Sequence, residues 1–401
     1  MNDAMQTSVI IVGGGPAGLT AAIALAEENV PTVLVGKRPA RPDNRTTALL
    51  ASSVTALKSL GVWETCAPQT APLRVMRIVD DTGRLWRAPE VKFEAGEIGL
   101  DAFGYNIENR RLVAALAQKA HALPSLRIVD AQVSAIEPHD ETISVHLKDG
   151  TALNASLVVG ADGRKSLARG AAGIAMDERQ YPQSALTVCL AHTRPHRDIS
   201  TEFHTPSGPF TLVPLPGMRS SLVFVLDPAT AAHISELDDA ALSEEIERRA
   251  HSILGKITVE QARGLFPLAS GTARKFAANR IALIGEAAHV IPPIGAQGLN
   301  LGLRDAAAIG EFAVTAHREH GDIGAASVLA AYDKLRRSDV AGRALVVDAV
   351  NRSLLSDFLP VQAARGLGLY LIDRIGPLRR AVMQEGVAPA GQPRLMRGEA
   401  L

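Results

Sequence analysis

Val9-Ile10-Ile11-Val12-Gly13-Gly14-Gly15-Pro16-Ala17-Gly18 decides the fold. Four apolar residues read as a short buried strand. The glycines that follow satisfy G-x-G-x-x-G, and Pro16 suits the first turn of a helix running to Glu28. Thr32–Val35 then reads as a second strand, so the whole is a βαβ unit. Gly13 permits the tight turn, Gly15 lets the backbone approach a pyrophosphate, and Gly18 lets helix and strand pack closely. Pro16 and Ala17 open the helix, whose N-terminus offers amide donors and a partial positive charge. Residues 8–26 carry no charge, and a hydropathy window would take them for a membrane span. Three consecutive glycines and a proline in the middle argue against that. No Lys or Arg precedes the stretch, as a signal peptide requires. The expectation is a soluble, cytoplasmic chain.

The 401 residues fit two or three domains. Lys plus Arg is 42 and Asp plus Glu is 42, so there is no basic excess of the kind a nucleic-acid partner needs. Apolar residues are 47% and aromatics 4%, which implies sizeable and mostly aliphatic cores. Two cysteines, Cys66 and Cys189, cannot build a disulfide framework or a structural zinc site. No metal site is expected.

Beyond the first unit, residues 47–60 read as a helix ending at Gly61, and 73–95 as short strands and loops. Asn109–Ala122 reads as a helix. From 126 to 159 the chain alternates, with Ile143, Val145 and Leu147 on one face and a turn at Lys148-Asp149-Gly150. Further strands fill 184–226, a polar helix 238–250, and a short buried strand Arg280–Ile284. Residues 296–385 read as mostly helical, and the tail after Gly386 as irregular.

Two later segments sharpen the picture. Val158-Val159-Gly160-Ala161-Asp162-Gly163 places an Asp-Gly pair directly after an apolar strand. Arg280–Asp305 reads RIALIGEAAHVIPPIGAQGLNLGLRD: strand, Gly-acid, small residues, His, two prolines and a glycine-spaced helix start. That stretch is too rich in glycine and proline for packing alone, and suits a loop cradling a flat ring through backbone amides.

These three motifs, in this order and spacing, resemble the class A flavoprotein monooxygenases, relatives of p-hydroxybenzoate hydroxylase. The resemblance covers essentially the whole chain. It sharpens towards the ring hydroxylases of ubiquinone biosynthesis at Arg45-Thr46-Thr47-Ala48-Leu49, Glu108-Asn109-Arg110, PPIGAQGLNLGLRD and Pro393-Arg394-Leu395-Met396-Arg397-Gly398.

The resemblance implies an α/β fold. A Rossmann-like FAD-binding domain (1–72, 101–180 and 276–325) would carry an inserted antiparallel substrate domain (73–100 and 181–275), then C-terminal helices and a tail (326–401). It implies that Gly13, Gly15 and Gly18, with Pro16 and Ala17, hold the FAD pyrophosphate. Asp162 and Gly163 match a motif linked to FAD and NAD(P)H. Gly285 and Glu286 match the pair that holds the ribityl chain. Pro293, Gly298, Leu299 and Asn300 match the segment beside the flavin ring, and Arg45 and Arg110 match arginines that face FAD. His289 reads as a structural hydrogen-bonding histidine. With one glycine fingerprint, NAD(P)H is expected as a transient reductant. The implied chemistry is hydroxylation of an electron-rich, polyprenylated phenol by O2 through a flavin C4a-hydroperoxide. Water exclusion and ring positioning then matter more than a triad or a metal. Phe210 and Leu212 are candidates for the substrate pocket, and no catalytic base stands out.

Two departures from the family pattern stand out. Gly36, followed by Lys37 and Arg38, occupies the position of an acid that binds the adenosine ribose, and Glu286 replaces the usual Asp. Together they imply looser FAD retention. Lys37-Arg38 would otherwise suit the 2′-phosphate of NADP in a simple dehydrogenase, but that reading leaves the motifs at 162 and 286 unexplained. Residues 340–383 alternate apolar positions with Arg343, Arg352, Arg365, Arg374, Arg379 and Arg380. The pattern suits helices packed on their own domain, with peripheral membrane contact as the alternative. The family context also leaves open a quinone-biosynthesis complex or a homo-oligomer, a different aromatic substrate, and an FAD-weak homologue acting as a structural subunit.

Overall fold

The computed structural model describes residues 5–37, 43–83, 88–260, 263–293, 295–355, 359–389 and 391–401. Arg38 lies outside the described residues, as do the side chains of Val350, Arg352, Arg365 and Leu369.

Among the described residues five short strands form the parallel core, in the order Ile281–Leu283, Leu157–Gly160, Val9–Val12, Thr32–Val35, Leu126–Val129. Ala277–Ala278 adds an antiparallel edge. The first four are fully buried, as expected of parallel strands covered on both faces. Helix Pro16–Glu27 packs against the helices Gln297–Arg318 and Asn109–His121. Its alanines at 21, 22, 24 and 26 are buried beside Ile23 and Leu25, and their small size lets it sit between sheet and helix. The register pairs Val12 with both Val35 and Gly160. Gly13, Gly36, Ala161 and Ile284 therefore all leave the sheet at its carboxyl end, where open α/β sheets place their ligands.

A second, mostly antiparallel sheet runs His289–Val290, Gly264–Ala273, Met176–His192, Arg219–Leu226, Gly208–Leu215, Ile199–Thr205, Val75–Asp80, Val91–Glu94 among the described residues. The parallel pairing of Ile199–Thr205 with Val75–Asp80 joins two segments distant in sequence into this one sheet. One face carries Leu186, Leu190, Phe203, Phe210, Leu212 and Phe224, covered by helices Pro228–Glu236 and Asp239–Arg249. The expected alternation over 126–159 is divided between two sheets: Val133–Pro138, Ile143–Leu147 and Ala152–Ala155 form a separate small sheet, while Leu126–Val129 and Leu157–Gly160 belong to the parallel core.

Three readings need correction. Residues 47–60 are not one helix: Thr46–Leu50 is a strand, and the helix is Ala51–Ser59. The strand pairs with Gly104–Glu108 so closely that a Cβ on Gly104 would fall 2.1 Å from the Leu49 carbonyl oxygen. Phe210 and Leu212 do not reach a pocket; they lie in the core at 0% and 3% exposure, and their strand neighbours Thr211 and Val213 line the cavity instead. Side chains alternate across a sheet, so the pocket face is offset by one residue. The C-terminal helices Ala326–Leu355, Leu359–Arg374 and Gly376–Val387 pack only in part. Val340, Arg379, Met383 and Val387 face inward, whereas Leu367, Tyr370, Leu371, Ile375, Leu378 and Val382 are exposed. The irregular tail is anchored, with Leu395, Met396 and Leu401 buried in the main core.

Candidate active site

A cavity of about 670 Å³ lies between the carboxyl end of the parallel sheet and the open face of the antiparallel one. At one end it is lined by Gly15, Pro16, Ala17, Gly18, Gly163, Gly285 and Glu286, with Pro293, Gly298 and Leu299. At the other end stand Met76, Ile78, Phe93, Glu202, Thr211, Val213 and Val223. Neither helix that opens onto it, Pro16–Glu27 or Gln297–Arg318, has a side-chain N-cap, and neither has an acid in its first turn. Their leading amides stay available to a bound anion. A Cβ on Gly15 or Gly298 would meet nothing within 4 Å, so these glycines border open space.

Gly13 is required for a different reason. Its φ is +120°, and a Cβ there would sit 2.2 Å from the Ala161 carbonyl oxygen, so it shapes the turn without lining the cavity. Gly36 is likewise packed: a Cβ would sit 2.5 Å from the Gly14 nitrogen. The glycine at the position where the resemblance leads one to expect an acid is thus tied to a close approach of two backbone segments.

The remaining sequence candidates fall into two groups. Arg45 lines the cavity, paired with Asp43 at 2.8 Å and lying 5.3 Å over the Phe266 ring. Arg110, Asp162 and Asn300 are not among the cavity-lining residues. Arg110 instead donates to Glu108 at 2.7 Å, and Glu108 also receives Arg219 at 2.8 Å. Asp162 accepts from the Ser166 hydroxyl at 2.5 Å and from the amides of Leu167 and Ala168, fixing the start of helix Leu167–Ala171. Asn300 accepts from the Leu50 amide at 2.8 Å and donates to the carbonyls of Ala48 and Ala296, clamping strand Thr46–Leu50 to its helix.

His289 is a buried structural partner: its Nε2 lies 2.6 Å from Asp305. Asp305 is itself fully buried and accepts from the Gly285 amide and Arg336 Nε. Arg336 and Arg304 then share Asp339. Burial opposes ionisation of Asp305, but His289 and Arg336 outweigh it and hold its carboxyl below the usual range. Sequence reasoning missed this network. Asp305 lay in the quoted run, but its partner Arg336 sits on a different helix with nothing local to mark it. It missed Glu202 as well, a carboxylate on strand Ile199–Thr205 with no local motif to mark it. Glu202 Oε1 lies 2.9 Å from His204 Nε2, and Thr211 donates to Oε2 at 3.2 Å. Among the described residues no cluster of metal-ligating side chains is present.

Residues 6–346 match the FAD binding domain family, and the chain belongs to it. It is an FAD-dependent monooxygenase with FAD as cofactor. Ubiquinone hydroxylase UbiL from Rhodospirillum rubrum is 36% identical over 404 residues, covering 98% of this chain and 93% of the relative. The 3-demethoxyubiquinol 3-hydroxylase of Escherichia coli is 34% identical over 388 residues, covering 94% of this chain and 97% of the relative. The crystal structure of p-nitrophenol 4-monooxygenase PnpA from Pseudomonas putida shares the fold with a TM-score of 0.77 at 19% identity, over 95% of this chain and 98% of that one. The cavity fits such a cofactor: two uncapped helix N-termini suit its phosphates, and glycine-bordered space suits a flat ring.

Proposed function

We propose that this protein hydroxylates the ring of a polyprenylated phenol in ubiquinone biosynthesis, using O2 and NAD(P)H. The observation that carries this reading is that one continuous cavity runs from the glycine cradle to the open face of the antiparallel sheet. A flat cofactor and an aromatic ring can meet there out of water. The relatives named ubiquinone hydroxylase and 3-demethoxyubiquinol 3-hydroxylase, alike over nearly their whole lengths, support the substrate class.

In this reading the backbone around Gly13, Gly15 and Gly18 and the N-terminus of helix Pro16–Glu27 hold the FAD pyrophosphate. Gly285 and Glu286 face the ribityl chain. Pro293, Gly298 and Leu299 bound the ring, and Arg45 supplies a cation. Bound FAD supplies the oxygen activation. The protein holds the substrate ring against it and keeps water out with Met76, Ile78, Phe93 and Val223. Asp162 and Asn300 act indirectly, by fixing the loops that form the cradle. The FAD-binding part comprises 1–72, 101–180 and 276–325, and the substrate part 73–100 and 181–275.

The exposed stripe on the C-terminal helices extends this reading. Leu371 near the end of helix Leu359–Arg374, Ile375 at the break, and Leu378 and Val382 on helix Gly376–Val387 are exposed, flanked by exposed Arg374 and Arg380. The opposite face of helix Gly376–Val387 packs through Met383 and Val387 in one cluster with Met76 and Phe93, which line the cavity. A bilayer surface with anionic headgroups suits both the apolar stripe and its arginines, and it is where a polyprenylated substrate resides. Among the described residues no helix is long and apolar enough to cross a membrane.

The decisive experiment is genetic. Deleting the gene should cause a prenylated phenol lacking one hydroxyl to accumulate, and the intact gene should restore the quinone. Normal quinone in the deletion strain, without a second hydroxylase gene, overturns the assignment.

A further inference from the structure

Glu202 is the one carboxylate that the antiparallel sheet contributes to the cavity among its described lining residues. It sits on strand Ile199–Thr205, in register with Ile78 on one side and Thr211 on the other. Val213, Val223, Ile78 and Phe93 supply apolar surface around it, while Arg77 and Ser200 also line the cavity, Arg77 donating to Thr201. A carboxylate beside such apolar surface is costly to desolvate and is kept only with partners. Its partners are specific. Oε1 meets Nε2 of the buried His204 at 2.9 Å, and Oε2 accepts from the Thr211 hydroxyl at 3.2 Å. Burial opposes ionisation, but His204 and Thr211 together hold the carboxyl below its ordinary range. It is therefore an acceptor at neutral pH. Each carboxylate oxygen has two lone-pair sites, so capacity remains for a donor within the cavity.

We propose that the Glu202 carboxylate accepts a hydrogen bond from the ring hydroxyl of the phenol substrate, with His204 as the positioning residue that aims it. This rests on the phenol hydroxylase reading given above and names the group that selects for a phenol. A hydroxyl donating to a carboxylate pushes electron density into the ring at its ortho and para carbons, the sites an electrophilic oxygen attacks. An ether at the same position would leave Glu202 without its donor, and such discrimination is strong when a buried polar group is left unpaired.

The test uses the FAD-loaded full-length protein, a short-chain 2-alkenylphenol and its O-methyl ether, with binding read from the visible flavin difference spectrum. Wild type should bind the phenol about ten- to a hundredfold more tightly than the ether, the worth of a hydrogen bond to a charged group. Glu202→Gln should reduce that preference to within about threefold, with FAD affinity unchanged. Glu202→Asp, which keeps the charge, should retain part of it. A wild type that binds both probes equally overturns the proposal without any variant. Glu202→Gln with the full preference also overturns it, and leaves the hydroxylase reading standing. Wild type that binds neither probe overturns the hydroxylase reading and the role of Glu202 with it.

Discussion

Asp305 Oδ2 lies 2.6 Å from His289 Nε2 and also accepts the Gly285 amide at 2.9 Å, while its other oxygen receives Arg336 Nε at 2.7 Å. One buried carboxylate thus ties the Gly-acid turn of the cradle to helices Gln297–Arg318 and Ala326–Leu355. Asp305→Asn keeps the size and removes the charge, leaving Arg336 without one of its two carboxylates. Breaking a buried ion pair from one side costs about 3–5 kcal/mol. Denaturant unfolding should show a loss of that order, and FAD titration a weaker Kd, because the single oxygen of the amide cannot accept both from Gly285 and His289 and from Arg336, so the turn at Gly285 is held less firmly. Unchanged stability would mean the network adds nothing to the fold.

Asp305 also sets an acid limit. Its folded-state pKa is depressed, with burial opposing and His289 and Arg336 prevailing. A depressed carboxyl contributes stability that is fully present above its unfolded value, about 3.9, and is lost as pH falls through the folded value. Unfolding free energy should therefore drop below about pH 4. Asp305→Asn should show a shallower slope in that range than wild type. Parallel slopes would place the acid sensitivity elsewhere.

Gly36 occupies the position of the usual ribose acid, and restoring that acid should not help. A Cβ there would press on the Gly14 nitrogen from 2.5 Å and on its Cα from 3.0 Å. Gly36→Glu and Gly36→Ala should both weaken FAD binding. Overpacking of this kind costs about 1–3 kcal/mol, roughly five- to a hundredfold in Kd. Tighter FAD binding by Gly36→Glu would show that the two loops part readily and that only the missing acid matters.

The parallel core and its ligand end were legible because glycine and proline carry the signal locally. Gly13 has to turn with positive φ against Ala161, and Pro16 has to open a helix, whatever lies elsewhere. The substrate side was not legible in the same way. Phe210 and Thr211 differ by one step along a strand, and only the placement of helices Pro228–Glu236 and Asp239–Arg249 decides which faces the core. Asp162 and Asn300 were read as cofactor-binding residues, and in the fold their side chains bond Leu167, Ala168, Leu50 and Ala48. A motif marks where a polar side chain is needed without saying whether it serves the cofactor or the loop that holds it.

The two arginines matched to FAD should separate cleanly. Arg45 faces the cavity between Asp43 and the Phe266 ring, while Arg110 is half exposed and turned to Glu108. Arg45→Ala should weaken FAD binding about ten- to a hundredfold, as expected for losing a charge-assisted contact. Arg110→Ala should change it by less than about threefold, since Arg110 is turned away from the cavity to Glu108, which keeps Arg219 as a partner. Flavin fluorescence titration of both variants reads the difference, and equal losses would place Arg110 at the cofactor.

The outward stripe on the C-terminal helices gives the last test. Leu378 and Val382 are 41% and 43% exposed, one helical turn apart, while Arg379 between them points inward to Glu97 at 2.6 Å. Replacing both outward residues with Asp therefore leaves the packed face and its ion pair in place. FAD content and turnover of a short-chain, water-soluble phenol should be unchanged. Co-sedimentation with vesicles containing anionic phospholipid should fall at least tenfold, because two aliphatic side chains that the bilayer would cover are exchanged for charges that an anionic surface repels. Raising the salt should weaken wild-type binding through Arg374 and Arg380 but not abolish it, since the apolar contact is unscreened. If the double variant sediments like wild type, the stripe does not meet the bilayer. If it instead changes the mass of the particle in solution, the stripe joins copies of this chain.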